Sequence, residues 1–266
     1  MKKRYGAEFY IGLSIAVIII AVSLTSLFYT PYSVTEPGLE KFQKPGLQHL
    51  LGTDHLGRDV FSRVMVGGRY SLLVALLTVL GGAAIGTAVG LAAGYFGGIF
   101  GETVMRVMDA LSAFPGVLLA VVAVAVLDSR KYTIVIALIV LFVPSYTRIM
   151  RSGAMQYRDA DFVNSLRLLG ASKKRIIFIH ILPNLLAQLL SATVIGLSNA
   201  ILAESSMSYL GFGIQPPIPS WGRMLAESQS YLWGAVWLAL APGIAIMLTV
   251  ISFHYIGEGI RRRLGR

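Results

Sequence analysis

The sequence predicts an all-α, polytopic membrane protein with six transmembrane helices and both termini in the cytoplasm. Of its 266 residues, 55% are hydrophobic and only 14% are charged, and the mean hydropathy is +0.70. A soluble domain carries roughly 25% charged residues. A chain this apolar would leave more apolar surface than one aqueous core can bury, so part of its solvent must be lipid.

Six apolar runs are long enough to cross a membrane, since about 20 helical residues span the roughly 30 Å hydrocarbon layer. They are Phe9–Tyr29, Ser71–Tyr95, Met105–Leu127, Tyr132–Met150, Leu185–Phe212 and Ala235–Ile256. The first is predicted to be an uncleaved helix, because it is longer than a signal peptide's apolar region. The fifth exceeds one crossing, which predicts tilt or a break near its end.

The distribution of charge predicts the orientation of these spans. Six crossings place both termini on one side, and most of the 23 basic residues then lie in segments on that same side. The positive-inside rule therefore favours cytoplasmic termini. It also accounts for the net charge of +10 without nucleic acid, because the basic residues form short clusters between apolar runs.

Small residues recur at four-residue spacing in the second run, at Gly86, Gly90 and Gly94. Such a face lets two helix backbones approach closely in lipid. We expect it either to pack within this chain or to contact a second membrane-spanning subunit.

Several kinds of chemistry are excluded or disfavoured. The chain contains no cysteine, which excludes disulfides, thiolate catalysis and cysteine-based zinc or iron–sulfur sites. Its four histidines show no metal-ligand spacing. The spans contain no paired carboxylates, no HExxH and no Ser/His pair at motif spacing, so a membrane-embedded enzyme is disfavoured. A secondary transporter would normally show two inverted repeats, and none is evident.

The longest polar interruption predicted on the inner side runs from about 156 to 184. Asp159 or Asp161 can cap a short helix, and Gly170 occupies the position where a helix end favours a left-handed residue. The apolar positions of this helix share one face: Phe162, Val163, Leu166 and Leu169. A second helix is predicted to end near Pro183. The short helix either lies on the membrane surface or offers its apolar face to a soluble partner.

Two further segments carry polar residues beside or within the spans. In the first outer loop, Asp54, Arg58, Asp59 and Arg63 are spaced to form a charge ladder, which either fixes the loop or contacts substrate. Near the end of the fifth run, Glu204 is ionisable at membrane depth. It is predicted either to hydrogen-bond to Ser205, Ser208 or a neighbouring helix, or to line a translocation path with those serines.

All three segments resemble motifs of one transporter family. Asn164-Ser165-Leu166, then Gly170 and Leu182-Pro183, is similar to the EAA loop of bacterial ABC importer permeases, with Asn-Ser-Leu replacing Glu-Ala-Ala. The outer loop resembles the Gly-Thr-Asp-x-x-Gly-Arg-Asp-x-x-Ser-Arg signature of the C-type subunit of dipeptide/oligopeptide/nickel permeases. Its matching residues are Gly52, Thr53, Asp54, Gly57, Arg58, Asp59 and Arg63. The stretch 203–222 resembles a third motif of that family, and the resemblance covers roughly residues 50–260.

The resemblance implies a type I ABC importer permease fold in a bacterial or archaeal cell membrane. It also implies a second, homologous permease subunit, two cytoplasmic ATPase subunits and an extracytoplasmic substrate-binding protein. The ATPases would bind the segment at about 156–184. The residues implied in this contact are Asp161, Phe162, Val163, Leu166, Leu169, Gly170, Ala171 and Pro183. ATP and Mg²⁺ would be bound by those partners. This chain would hold no cofactor and would not be an enzyme, and accordingly it lacks a Walker-A phosphate loop.

The resemblance also divides the chain and defines its cargo. Residues 1–70 would form the first transmembrane helix and an extracytoplasmic loop. Residues 71–266 would form a five-helix permease core containing the coupling loop at about 156–184. The implied cargo is dipeptides or oligopeptides, with nickel or a metal chelate as the alternative. A secondary transporter without an ATPase is the alternative from another class.

Overall fold

The computed structural model describes residues 6–116, 118, 122 and 133–264, and in these residues the regular structure is helical. We number its helices in chain order. They are α1 (Ala7–Thr25), α2 (Val60–Phe96), α3 (Gly98–Ala113), α4 (Thr133–Arg158), α5 (Asp161–Leu168), α6 (Lys173–Tyr209), α7 (Trp221–Ser228) and α8 (Trp237–Leu264). A short 3₁₀ turn, Gln229–Tyr231, follows α7.

Five of the described helices are long and apolar enough to cross a membrane: α1, α2, α4, α6 and α8. Each contains most of one predicted run, so the all-helical membrane fold is confirmed. Most of the predicted span Met105–Leu127 after Gly116 lies outside the described residues, and α3 covers its beginning. The helix that contains the second predicted span begins earlier than that span, at Val60. The predicted division of the chain between residues 70 and 71 therefore falls inside α2.

The glycines at four-residue spacing in α2 pack against α4 within this chain. A Cβ atom at Gly86 would lie 2.9 Å from the Val143 carbonyl oxygen, and one at Gly94 would lie 2.6 Å from the Arg151 carbonyl oxygen. Only glycine allows the two backbones to approach this closely. The core of the bundle forms where α2 and α4 meet α6, α7 and α8. Gly97 and Gly98, both with positive φ, form the turn between α2 and α3.

The prediction of a helix ending near Pro183 is wrong. The chain continues as one helix, α6, from Lys173 to Tyr209. Before the proline, Ile176–Ile181 forms a π-helical segment in which the Leu182 N–H donates to the Ile177 carbonyl. Proline removes one helical hydrogen bond and crowds the preceding turn, and the wider π turn accommodates it without ending the helix.

Candidate functional site

The short helix α5, which belongs to the segment predicted on the inner side, begins differently from the sequence-based prediction. Its N-cap residue is Ala160, which contributes no side-chain hydrogen bond. Asp159 instead forms an ion pair with Arg158, at 3.1 Å between Nη2 and Oδ2. Asp161 lies in the first turn, where its negative charge is favourable near the helix N-terminus. The prediction that either aspartate caps this helix through its side chain is therefore wrong.

The end of α5 matches the predicted glycine stop. Gly170 has a φ of +75°, in the left-handed region. The Ala171 N–H donates to the Leu166 carbonyl at 3.0 Å, and the Gly170 N–H donates to the Arg167 carbonyl at 3.0 Å. This pair of bonds is the Schellman motif, which satisfies carbonyls left open at a helix end. The stop turns the chain directly into α6.

The apolar side chains of α5 lie in two environments. Val163 is fully buried and Leu166 partly buried, and both pack on an inner core cluster that includes Leu91 and Tyr95 of α2. Phe162 is 39% exposed. Leu169, the last of the four predicted face positions, is 82% exposed beside Leu168 at 90%. One side of α5 therefore holds it to its own chain, while its C-terminal end presents two uncovered leucines.

Arg167 ties α5 to two other helices. Its Nη2 donates to the Arg158 carbonyl at the end of α4, at 3.0 Å. Its guanidinium lies 5.3 Å from the centroid of the Tyr95 ring on α2, with Nε 3.5 Å from the Tyr95 hydroxyl. Cation–π contacts of this kind are attractive where water is partly excluded. The position of α5 thus depends directly on the C-terminal end of α2.

On the opposite side of the bundle, the loop predicted to face outward carries a charge cluster in which Asp54, Arg58 and Arg63 are buried. Arg58 Nε lies 2.7 Å from Asp54 Oδ2, and Arg63 Nε lies 3.7 Å from the same oxygen. Glu227 of α7 accepts from Arg63 Nη2 at 2.8 Å and lies 3.5 Å from Arg58 Nη2. Arg223 adds a contact at 3.3 Å to Glu227 within α7. We call these five residues the outer charge cluster.

Asp59 belongs to a different arrangement than the predicted ladder. Its Oδ2 accepts from the Ser62 N–H at 2.7 Å, so Asp59 caps α2. Its Oδ1 lies 2.8 Å from His49 Nδ1. Gly52 and Gly57 turn the loop with positive φ values of 74° and 78°, and Thr53 faces Asp59 in an isolated β-bridge.

Sequence reasoning missed Glu227 and His49 as partners of this loop. The spacing of Arg223 and Glu227 allowed a local i,i+4 pair on α7. Nothing local indicated that Glu227 also meets Arg63, because the two are 164 residues apart in the chain.

Glu204 lies at the centre of a third polar site. Its side chain is fully buried, and its carboxylate accepts from Ser208 Oγ at 2.7 Å and from Ser205 Oγ at 3.5 Å. Ser71 of α2 lies beside this carboxylate, and its Oγ accepts from the Trp221 backbone N–H at 3.3 Å. The carboxylate therefore lies where α6 meets α2, and Ser71 connects α2 to the start of α7.

Comparison with known proteins places the chain among membrane transport components. A family model described as "Binding-protein-dependent transport system inner membrane component" matches residues 86–266. The chain is 41% identical to the dipeptide transport system permease protein DppC of Escherichia coli (strain K12), over 99% of this chain and 89% of that protein. It is 38% identical to a protein of the same name from Alkalihalophilus pseudofirmus, over 93% of this chain and 81% of that one.

Two further similarities extend this comparison. The chain is 41% identical to the glutathione transport system permease protein GsiD of Escherichia coli (strain 536), over 83% of this chain and 73% of that protein. Among solved structures, it is similar to a chain of the inward-facing MetNI methionine ABC transporter, with a TM-score of 0.63. That match has 19% identity and covers 75% of this chain and 95% of the other, so it identifies the fold alone.

Proposed function

The chain belongs to the family of binding-protein-dependent transport system inner membrane components, and we propose that it moves peptides inward across the cell membrane as one permease subunit of an ABC importer. The assignment of peptides as cargo is supported by the similarity to dipeptide and glutathione permeases, at about 40% identity over most of the chain. Glutathione is itself a peptide, so these relatives agree on the chemical class of the cargo.

We propose that α5 is the contact through which cytoplasmic ATPase subunits drive the bundle. In support, α5 is anchored to α2 and α4 on one side and exposes Leu168 and Leu169 on the other. Exposed apolar side chains on a rigidly held helix suit docking into a groove of a soluble partner. ATP and Mg²⁺ would be bound by those ATPases. A second permease subunit and an extracytoplasmic binding protein would complete the assembly.

The proposed orientation places α5 and both termini in the cytoplasm. Basic residues support it on the α5 side, where Lys173 and Arg175 begin α6 and Arg261–Arg263 end α8. The outer loop then faces the binding protein. This orientation also places the outer charge cluster and α5 on opposite sides of the membrane.

The cargo proposal is tested by reconstituting the chain with its partner subunits in proteoliposomes and measuring uptake. We expect uptake of a labelled dipeptide that requires ATP and the peptide-loaded binding protein. Uptake of nickel or a nickel chelate in place of dipeptides would overturn the peptide assignment. Dipeptide uptake that continues without ATPase subunits would identify a secondary transporter instead.

We propose that Glu204, with Ser205 and Ser208, supports the translocation path by holding the segment after α6 against α2. Ser208 Oγ, for example, also lies 3.4 Å from the Ile214 backbone N–H. Glu204→Gln keeps the shape but removes one acceptor, and we expect normal assembly with slower uptake. Glu204→Leu removes the acceptor of the Ser205 and Ser208 hydroxyls, which costs about 1–3 kcal/mol of stability and should lower the melting temperature. An unchanged uptake rate in Glu204→Gln would limit this residue to a packing role.

A further inference from the structure

Helix α2 connects the outer charge cluster to α5. It contains 37 residues without interruption, which corresponds to about 55 Å at the usual helical rise. The hydrocarbon layer is only about 30 Å thick, so the helix extends beyond it. Both of its ends have polar partners from other segments.

The outer end of α2 is held by buried charges. Asp59 caps the helix, and Arg63 in the first turns is only 2% exposed. Arg63 reaches Glu227 of α7 at 2.8 Å and Asp54 of the outer loop at 3.7 Å. The Arg63 side chain is only 3% exposed and that of Glu227 is 20% exposed. Separating them is unfavourable, because the buried Arg63 charge would lose a partner without gaining water. The start of α2, the outer loop and α7 are therefore joined as one unit.

The inner end of α2 is held to α5. Tyr95, 7% exposed, lies under the Arg167 guanidinium and belongs to the same core cluster as Val163. A shift or rotation of α2 would break these contacts unless α5 moved with it. The two ends of α2 therefore contact the two surfaces that would receive the binding protein and the ATPase.

Between its ends, α2 is built to move as a unit. It contains no proline, whereas α4 contains Pro144 and α8 contains Pro242, and an internal proline kinks a helix. The glycines of α2 would by themselves make it pliable. They are instead packed against the backbone of α4, as at Gly86 and Gly94, which restricts bending.

We propose that α2 moves as a rigid body and couples the outer charge cluster to α5. Arg63 and Glu227 are the positioning residues at its outer end. The proposal rests on the function proposed above. In this proposal, the Arg63–Glu227 pair couples the docking of the binding protein to the position of α5, where the ATPase would bind. Such coupling requires one element whose position both sites bias, and α2 contacts both.

The test uses the complete importer complex in lipid nanodiscs, with ATPase activity measured with and without the peptide-loaded binding protein. The quantity of interest is the ratio of stimulated to basal activity. In Arg63→Gln and Glu227→Gln we expect this ratio to fall roughly threefold to tenfold. Arg63→Lys keeps the charge and should recover part of the ratio, which a loss of packing alone would not predict.

Arg69→Gln is the matched control. Arg69 is an arginine of the same helix, but its Nη1 lies 3.4 Å from the Ser26 carbonyl and its guanidinium lies 4.8 Å from the centroid of the Tyr70 ring, so it lies outside the outer charge cluster. We expect its ratio to match the wild type. An unchanged ratio in Arg63→Gln would overturn the proposal, and so would an equal fall in Arg69→Gln.

Tyr95→Leu tests the contact between the C-terminal end of α2 and α5 if the variants at Arg63 and Glu227 fail to assemble. Leucine keeps the position apolar and removes the ring beneath Arg167, so the same fall in the ratio is expected. An unchanged ratio would show that the contact between α2 and α5 does not affect the coupling, and it would overturn the proposal. A wild-type complex that the binding protein does not stimulate would instead contradict the proposed function, which separates the two failures.

Discussion

Replacing Leu169 by Asp is expected to abolish ATP-driven uptake while the chain still inserts and folds. Leu169 is 82% exposed, so the change removes no internal contact. In the assembled importer, the same side chain would be buried against an ATPase subunit. A carboxylate placed there would lose its water without gaining a partner. Apolar anchors of this kind typically contribute 2 kcal/mol or more, so affinity for the ATPase should fall by roughly thirtyfold or more.

The measurement is co-purification of the ATPase subunits with the tagged permease, together with uptake in proteoliposomes. Ile99→Asp is the matched control, because Ile99 is 86% exposed and lies in the first turn of α3 on the same side of the bundle. Its variant should keep both the ATPase subunits and uptake. Full co-purification with normal uptake in Leu169→Asp would remove α5 from the ATPase contact.

The second large effect is expected from Gly90→Val, which should prevent α2 from packing on α4. A Cβ atom at Gly90 would lie 2.5 Å from the Thr147 carbonyl oxygen and 3.0 Å from Met150 Cβ. The first of these is a backbone atom and has no rotamer by which to move away. Overpacking typically costs about 1–3 kcal/mol, and here the two helices would have to separate. We expect a lower melting temperature and loss of the monodisperse complex.

Ala88→Val is the control for this prediction. Ala88 is two residues away on the exposed side of α2, where added methyl groups contact lipid rather than another backbone. Its melting temperature should remain close to that of the wild type. If the melting temperature of Gly90→Val equalled that of the wild type, both in detergent and in lipid, the close approach of α2 and α4 would not be needed for folding.

The accuracy of the sequence-based predictions followed the range of the interactions involved. The apolar runs and the stop at Gly170 depend on residues close in the chain, and five of the six runs and the stop were confirmed in the described residues. The end predicted at Pro183 was wrong, because a π segment accommodates the proline while residues before and after it pack in one core cluster. Neither predicted aspartate caps α5, because Ala160 occupies the N-cap position and Asp159 pairs with Arg158.

The sequence alone determined that the protein lies in a membrane, where its main helices run, and that the segment around Gly170 forms a short helix and a turn. These properties come from hydropathy and local backbone preference, which act over one or two helical turns. Only the tertiary structure decided that Arg63 meets Glu227, that Tyr95 lies beneath Arg167, and that the glycines of α2 face α4. Each of these contacts joins residues far apart in the chain, so it depends on how the helices cross rather than on any local spacing.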